Sequence, residues 1–456
     1  MRATLATMLS ALRYRNYRRW ACADFVSVTG SWMQNLAVNW LVLTTTGSAS
    51  MLGLSLLFQT LPGLVLGSWG GSLADRFPVR RILLVTQVLH AVLALGLAAI
   101  AHFHAPVTAV YGLSVLSGLV TVFDGPALGR FGSQLVARDN LGNALGMGSV
   151  LSSAGRILGM SLAGALVAVT GEAWLFVLNA LTFVGVIAAI ASVRSSEIYP
   201  LARSSAARTG VKAGLRYVLG YRPLVVLFLL SFVLSCLGRN YQITMAAMSE
   251  GPLGGGAVGY SALSVVFAVG TVVGGLLGAS RPELTLRILL VMAGATSVLE
   301  MVSGSAWTLV LFAVVLFPIA AGAVVIDTAL STRLQLDSDE DMRGRVLSVK
   351  AMVTSASGAA GGPLLGWLAQ EAGPGHALQI AGALATAATL VATALLAWMP
   401  ERRAMPDELR WRQLGVPQVR AEQQPQDSEQ PEQPGSPATA GEPAGRPTPA
   451  REPAAA

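Results

Sequence analysis

Four ionisable residues interrupt the long apolar runs of this chain, and their side chains could carry chemistry inside a membrane. They are Asp24, Arg156, Arg239 and Glu300. A charged group within an apolar helix is costly in lipid, so its presence indicates a functional site by default. A carboxyl could bind a proton or a cation, and a guanidinium could hold an anion.

Asp24 and Arg156 are the two candidates for energy coupling. A carboxyl removed from water can take up and release a proton during transport. Asp24 follows Trp20 by only a few residues, however, and could equally be a helix-end carboxylate beside water. Arg156 could hold an anionic substrate, or it could form a structural ion pair with Asp24 or Asp124.

The later apolar runs carry two further ionisable side chains near their far ends. Arg239, followed by Tyr241, could form an outer gate or contact substrate, or its side chain could extend to the membrane surface. Glu300 lies toward the end of a helix that we expect to face lipid. We therefore expect its side chain to extend to the surface as well.

Polar side chains of the first apolar run suggest a substrate cavity. Trp32, Gln34, Asn35 and Asn39 recur at helical spacing. Aromatic and amide groups together suit an amphipathic organic molecule, although polar contacts between helices would produce the same pattern. The four histidines have no metal-ligand spacing, and neither lysine follows a glycine as a phosphate-binding loop requires. We expect no metal, no cofactor and no enzymatic activity.

The elements that must position these residues are membrane helices. The chain of 456 residues is 53% apolar and 12% charged, whereas soluble proteins carry about 25% charged residues. Apolar runs close to the ~20 residues that span a bilayer recur along it. We predict an all-α polytopic membrane protein with about twelve spans, near 20–44, 50–73, 82–102, 107–128, 144–169, 173–193, 223–247, 257–279, 286–304, 307–330, 346–369 and 376–399.

The distribution of basic residues predicts the orientation of these spans. Lys and Arg concentrate in alternate loops, and the loops between them contain none. Short loops rich in Lys and Arg stay in the cytoplasm. We therefore expect a multi-pass protein of a bacterial inner membrane with both termini cytoplasmic. This placement also explains the net charge of +7 without nucleic acid as a partner.

The chain divides into two halves that echo each other. Asp124 precedes Arg130 by six positions, and Asp327 precedes Arg333 by six; we expect both aspartates to lie at cytoplasmic helix ends beside these arginines. Such echoes are typical of transporters built from parallel repeats. We predict six-helix bundles at 1–194 and 223–400, a cytoplasmic linker at 195–222, and a disordered tail at 401–456, where Pro, Gln, Glu and Ala dominate.

The polar loop after the second run resembles the signature loop of the major facilitator superfamily of secondary transporters. The match lies at Gly71, Asp75, Arg76, Arg80 and Arg81, with departures at Pro78 and Val79. Three further segments are similar to the exporter branch that includes bacterial macrolide-efflux proteins and the enterobactin exporter: Arg15 to Trp20, then Ser27, Gly30 and Trp32, and Asp124 to Ala127.

The resemblance implies two bundles around a cavity that opens alternately to each side, lined by spans 1, 4, 7 and 10. It also implies a cytoplasmic gate at the Asp75–Arg76 pair, although a loop that only sets topology is the alternative. We assign to this gate Gly71, Asp75, Arg76, Arg80, Arg81, Asp124, Arg130, Asp327 and Arg333.

These features together predict a monomeric secondary transporter. It would export a small amphipathic molecule, drug-like or siderophore-like, by alternating access with protons as the coupling ion and lipid as its surroundings. The alternatives are an importer of a small metabolite and a membrane scaffold or sensor that does not transport.

Overall fold

A computed structural model describes residues 10–74, 77–194, 197–199, 211–238, 240–280, 285–339 and 342–398. Short 3-10 helices at Ser10–Arg13 and Arg138–Asn140 accompany fourteen α-helices in these ranges. The α-helices are α1 (Arg15–Thr46), α2 (Ala49–Ala74), α3 (Val79–His102), α4 (Val107–Gln134), α5 (Leu141–Thr170), α6 (Glu172–Ala191), α7 (Val211–Leu219), α8 (Arg222–Gly238), α9 (Tyr241–Glu250), α10 (Gly256–Ala279), α11 (Leu286–Ser303), α12 (Leu309–Leu336), α13 (Arg343–Ala372) and α14 (Pro374–Trp398).

The helices confirm the predicted all-α polytopic fold. Ten segments of the described chain are long and apolar enough to cross a membrane, with α8 and α9 forming one of them. The two remaining long helices, α1 and α13, have 32 and 30 residues. Both begin with arginines and carry polar residues, which lowers their hydropathy without shortening them.

The start of α3 explains why the polar loop departs from the superfamily pattern. Pro78 immediately precedes the helix, where its missing N–H group costs nothing. Val79 is 8% exposed and belongs to an apolar cluster with Leu83, Phe131 and Ile190. A basic side chain at position 79 would have to be buried in that cluster.

Each half of the chain packs mainly on itself. In the first half α1 packs on α5 and α6, α2 on α4, and α3 on α4 and α6. In the second half α12 packs on α10 and α11, and α14 on α11 and α8. The proposed linker contains α7, and α8 already begins at its last residue, Arg222. The predicted tail at 401–456 lies outside the described residues.

The halves meet mainly along two helix pairs, α2 with α13 and α5 with α10, and α9 also contacts α1 and α2. We call the end of the molecule where α1 begins and α2 ends the arginine-rich end. The opposite end, whose connecting loops contain no Lys or Arg, is the arginine-free end. There the Gln370 Oε1 atom accepts a hydrogen bond of 3.1 Å from the Ala49 backbone N–H. A Cβ atom on Gly53 would lie 2.9 Å from the carbonyl carbon of Gly362, so this approach requires glycine.

Candidate coupling and transport sites

A polar cavity of about 320 Å³ lies inside the first half of the chain. Its charged and amide lining includes Asp24, Gln34, Gln87, His90 and Asp124, and every lining residue belongs to α1–α6. The resemblance had implied a cavity shared by spans 1, 4, 7 and 10. This cavity differs because α3 turns a polar face inward against α1 and α4.

Asp124 accepts hydrogen bonds from two side chains of α3. The Thr86 hydroxyl donates to its Oδ1 atom at 2.5 Å, and the Gln87 amide donates to the same atom at 3.0 Å. The expectation that Asp124 lies at a helix end beside Arg130 is wrong, since α4 continues to Gln134 and Asp124 is 7% exposed. A carboxyl at this depth in an apolar helix is a functional candidate.

His90, to which the sequence assigned no site, completes this group. Its Nε2 atom lies 3.8 Å from the Asp124 Oδ2 atom. Its ring stacks on Phe183 of α6, with the ring centroids 5.3 Å apart. The available signal was the spacing: Thr86 and His90 are four residues apart, so they share one face of α3.

Asp24 lies where two cavities adjoin. A second cavity, of about 570 Å³, extends from this point toward the arginine-rich end between α1, α4 and α5. The two cavities share Asp24, Val28, Leu128 and Ser152 in their linings. Asp24 is only partly buried. It therefore lies on a route from the arginine-rich end to Asp124.

The polar residues predicted along α1 separate into two groups. Trp32, Gln34 and Asn35 line the polar cavity, and Gln34 accepts a hydrogen bond of 2.8 Å from Asn179. Asn39 lies instead at the contact between the halves. It donates to Gln242 at 3.1 Å and to the Tyr260 hydroxyl at 3.2 Å.

Arg156 connects the halves near the middle of the helices. It donates a hydrogen bond to the Thr271 hydroxyl of α10, and its guanidinium carbon lies 5.7 Å from the centroid of the Trp32 ring, within cation–π range. Its Nε atom is buried without a hydrogen-bond partner. The proposed ion pair with Asp24 or Asp124 does not form among the described residues.

Asp327 also lies within its helix, because α12 continues to Leu336, and the two gate residues of the second half form ion pairs with other neighbours. Asp327 forms an ion pair with Lys350 of α13, in which the Oδ1 and Nζ atoms are 3.0 Å apart. Arg333 lies 3.8 Å from Asp337. Residues six apart lie about 240° apart around an α-helix, so Asp327 and Arg333 face different neighbours. Burial raises the pKa of Asp337, and the Arg333 guanidinium opposes this shift.

The signature loop is described only at its edges. Gly71 lies in the last turn of α2, and Asp75 and Arg76 lie outside the described residues. Arg80 donates a hydrogen bond of 2.8 Å to the carbonyl oxygen of Ala191, at the end of α6. Arg81 is exposed near the start of α3, and Arg130 lies in the last turns of α4.

A smaller polar cavity, of about 50 Å³, lies in the second half. Tyr241, Glu300 and Asp327 line it, whereas Arg239 lies outside the described residues. The expectation that Glu300 faces lipid is wrong, since it is 3% exposed. Thr296, Ser297 and Glu300 share one helix face at spacings of three and four residues, and that face packs inward.

Comparison with known proteins identifies the family. Residues 6–423 match the family model of the major facilitator group described as transmembrane secretion effectors. The chain belongs to this family. Together with the apolar helices, this membership makes the chain a multi-pass membrane transporter of a small-molecule substrate, not an enzyme.

Individual relatives of the chain are more distant. It is 26% identical over 169 residues to the Staphyloferrin A transporter of Staphylococcus aureus, a match that covers 35% of this chain and 41% of that protein. The nucleoside transporter NupG has the same fold, with a TM-score of 0.69, 12% identity, and coverage of 84% of this chain and 100% of NupG. A bacterial homologue of the human lysosomal transporter Spinster aligns with a TM-score of 0.60 and 15% identity. This match covers 84% of this chain and 95% of the homologue.

Proposed function

We propose that this transporter exports small amphipathic organic molecules in exchange for protons, by alternating access in a bacterial inner membrane. The observation that carries the proposal is the polar cavity of the first half. Two carboxyls and an imidazole line it, and an adjoining cavity extends from Asp24 toward the arginine-rich end. Ionisable chains of this kind within membrane helices are typical of proton pathways.

Proton binding and substrate binding would lie in different parts of the molecule under this proposal. A substrate that crosses by alternating access must lie between the halves, whereas the residues that line this cavity all belong to the first half. Helix α1 joins the two regions, because it carries Asp24 on the cavity and Asn39 at the contact between the halves. A change of charge at Asp24 could therefore reach the interface through one rigid helix.

Residues at the contact between the halves are the proposed substrate contacts. Arg156, which lies over the Trp32 ring, donates a hydrogen bond to Thr271 of the opposite half, and Asn39 bonds to Gln242 and Tyr260. These contacts would have to break when the arginine-free end opens. We assign the gate at the arginine-rich end to the signature loop, with Asp75 and Arg76 as its central pair.

The direction and substrate class rest on the family and on sequence resemblance. The family is described as secretion effectors, and the partial relative from Staphylococcus aureus is named for staphyloferrin A transport. We infer export of a drug-like or siderophore-like molecule by a monomer surrounded by lipid, with both termini in the cytoplasm. The two bundles, 1–194 and 223–400, are the proposed moving units.

Transport into everted membrane vesicles tests this proposal. Vesicles containing the wild-type protein receive an imposed pH gradient, acid inside, and a panel of amphipathic cations and siderophores that includes staphyloferrin A. We expect at least one compound to accumulate only while the gradient persists. Asp24→Asn should abolish this accumulation, and Asp139→Asn, which changes an exposed loop carboxylate, should leave it unchanged.

Two results would contradict the proposal. Accumulation that is equally strong without a gradient would remove protons as the coupling ion. Uptake only into right-side-out vesicles would make the protein an importer.

A further inference from the structure

The second half contains a buried acidic side chain that the proposed coupling route does not use. Glu300 of α11 is 3% exposed and lines the 50 Å³ cavity between α8, α9, α11 and α12. Among the described residues its carboxyl has no hydrogen-bond or ion-pair partner. An unpaired carboxylate is among the most costly groups to bury, so this site needs a bound positive charge.

We propose that Glu300 is a second proton-binding carboxyl, placed where the seventh span is broken. Helix α8 ends at Gly238 and α9 begins at Tyr241, and Asn240, which precedes α9, lies outside both helices. A Cβ atom on Gly238 would lie 3.2 Å from the Glu300 Oε2 atom and 3.8 Å from the Tyr241 hydroxyl. The Glu300 carboxyl thus lies beside the point where α8 ends and α9 begins. Broken helices of this kind are where transporters commonly bind their ligands.

The hydroxyl groups beside Glu300 suit a protonated carboxyl. The Thr296 hydroxyl donates a hydrogen bond of 2.8 Å to the carbonyl oxygen of Met292, and the Ser297 hydroxyl donates one of 2.8 Å to the carbonyl oxygen of Ala293. Since these hydroxyl protons are engaged with the backbone, the oxygens offer lone pairs to the cavity. These oxygens can accept a hydrogen bond from a neutral carboxyl, but the hydroxyls cannot donate one to an ionised carboxylate.

Among the described residues, the other titratable groups near α11 do not supply a compensating positive charge; Arg239, which follows Gly238, lies outside those residues. Tyr241 of α9 and Cys236 of α8 are neutral side chains, and Asp327 of α12 is already paired with Lys350. His376, the only ionisable residue of α14, bonds to the carbonyl oxygen of Ala372 instead. A metal ion is less suited than a proton, because the described residues contain no cluster of three or more acidic, His or Cys ligands.

Glu300 also occupies the position that a repeated architecture would give to a coupling group. Six-span repeats make α8–α9, α11 and α12 the counterparts of α1, α3 and α4. In the first half a titratable group of α3, His90, accompanies Asp124 of α4 in one cavity. In the second half Glu300 of α11 accompanies Asp327 of α12 in the corresponding cavity.

Proton binding here would act on the contact that closes the arginine-free end. Helix α9 begins beside Glu300 and carries Gln242, which accepts the hydrogen bond from Asn39 of the first half. A change of charge at Glu300 would alter the helix break and so the position of α9. This transport consequence rests on the proposed function, whereas proton binding at Glu300 does not.

Carbodiimide labelling tests proton binding without any transport substrate. Dicyclohexylcarbodiimide reacts with protonated carboxyls in apolar surroundings, and mass spectrometry of the digested protein locates the adduct. In proteoliposomes containing KCl, we expect an adduct on Glu300 that decreases as the pH is raised. It should be lost in Glu300→Gln, remain on the carboxyl of Glu300→Asp, and be unchanged in Glu371→Gln, a control at an exposed glutamate of α13.

Two outcomes would overturn the inference. An unlabelled Glu300 at every pH, in protein that is labelled at Asp24, would show that Glu300 does not bind a proton from the medium. Protection of Glu300 by NaCl in place of KCl would show a sodium site. Either result leaves the vesicle test of proton-coupled export unaffected, so failure here and failure of the proposed function can be distinguished.

Discussion

At the scale of single residues, Asp124 shows how one carboxyl can be held deep in an apolar bundle. Thr86 and Gln87 supply two hydrogen bonds to the same oxygen, and His90 approaches the other. Hydrogen bonds to a charged group contribute about 1.5–3 kcal/mol each. The α3 side chains can therefore stabilise a negative charge that lipid alone would exclude.

Replacing Asp124 with Asn should uncouple transport from the proton gradient. The amide keeps the size of the side chain but cannot bind or release a proton. We expect accumulation against a gradient to be lost, while exchange of labelled for unlabelled substrate at equal concentrations persists. Vesicle exchange assays measure both, with Asp139→Asn as the control. Loss of exchange together with accumulation would show that Asp124 serves folding or substrate binding instead.

The hydrogen bond from Arg156 to Thr271 should contribute to stability as well as to contact between the halves. Thr271→Val removes the acceptor and leaves a buried guanidinium with one fewer partner. We expect unfolding in detergent micelles to require about 1–3 kcal/mol less free energy. Thr271→Ser keeps the hydroxyl and should remain close to wild type. Equal stability of the Val and Ser variants would contradict this role.

At the scale of helices, the close packing of α2 on α13 closes the arginine-free end. Gly53 approaches the backbone of Gly362, and Gly366 approaches that of Ala49. Such short distances between helix axes require glycine on both surfaces. Since both helices must separate if this end opens, their packing sets the balance between the two states.

A methyl group on Gly53 should shift that balance toward the open arginine-free end. It would collide with the carbonyl of Gly362, and overpacking of this kind costs about 1–3 kcal/mol. Spin labels on Ser48→Cys and Ala372→Cys, in a background without Cys22 and Cys236, report the separation by pulsed electron resonance. We expect a longer distance in Gly53→Ala.

Gly63→Ala is the matched control, because Gly63 lies on the same helix and has open space where a Cβ atom would be placed. Its distance distribution should match that of the unsubstituted protein. The same shift in both variants, or in neither, would show that the Gly53 contact does not hold this end closed.

At the scale of the whole molecule, the fold could be predicted from the sequence, but the burial of its ionisable side chains could not. Apolar runs and the signature loop predicted the helices, because span length and loop charge are local properties. The burial of Asp124 and Glu300 depends on where α4 ends and on which face of α11 meets its neighbours. Those are consequences of packing between helices, which one sequence does not reveal.

The spacing of polar residues along two helices nevertheless indicated part of this burial. The polar residues Thr86, Gln87 and His90 lie on one side of α3, as Thr296, Ser297 and Glu300 do on α11. A polar stripe on an apolar membrane helix predicts a face that is turned away from lipid. The contact of Asn39 with Gln242, across 203 residues of sequence, had no such signal.

Proton movement that accompanies transport is the sharpest test of proton-coupled export. Everted vesicles with an acidified lumen and a pH-sensitive dye receive a substrate identified in the accumulation assay. We expect added substrate to release protons from the lumen of wild-type vesicles, and we expect Asp24→Asn to abolish this release. Substrate transport with no proton movement, or equal proton release in Asp24→Asn, would contradict proton-coupled export.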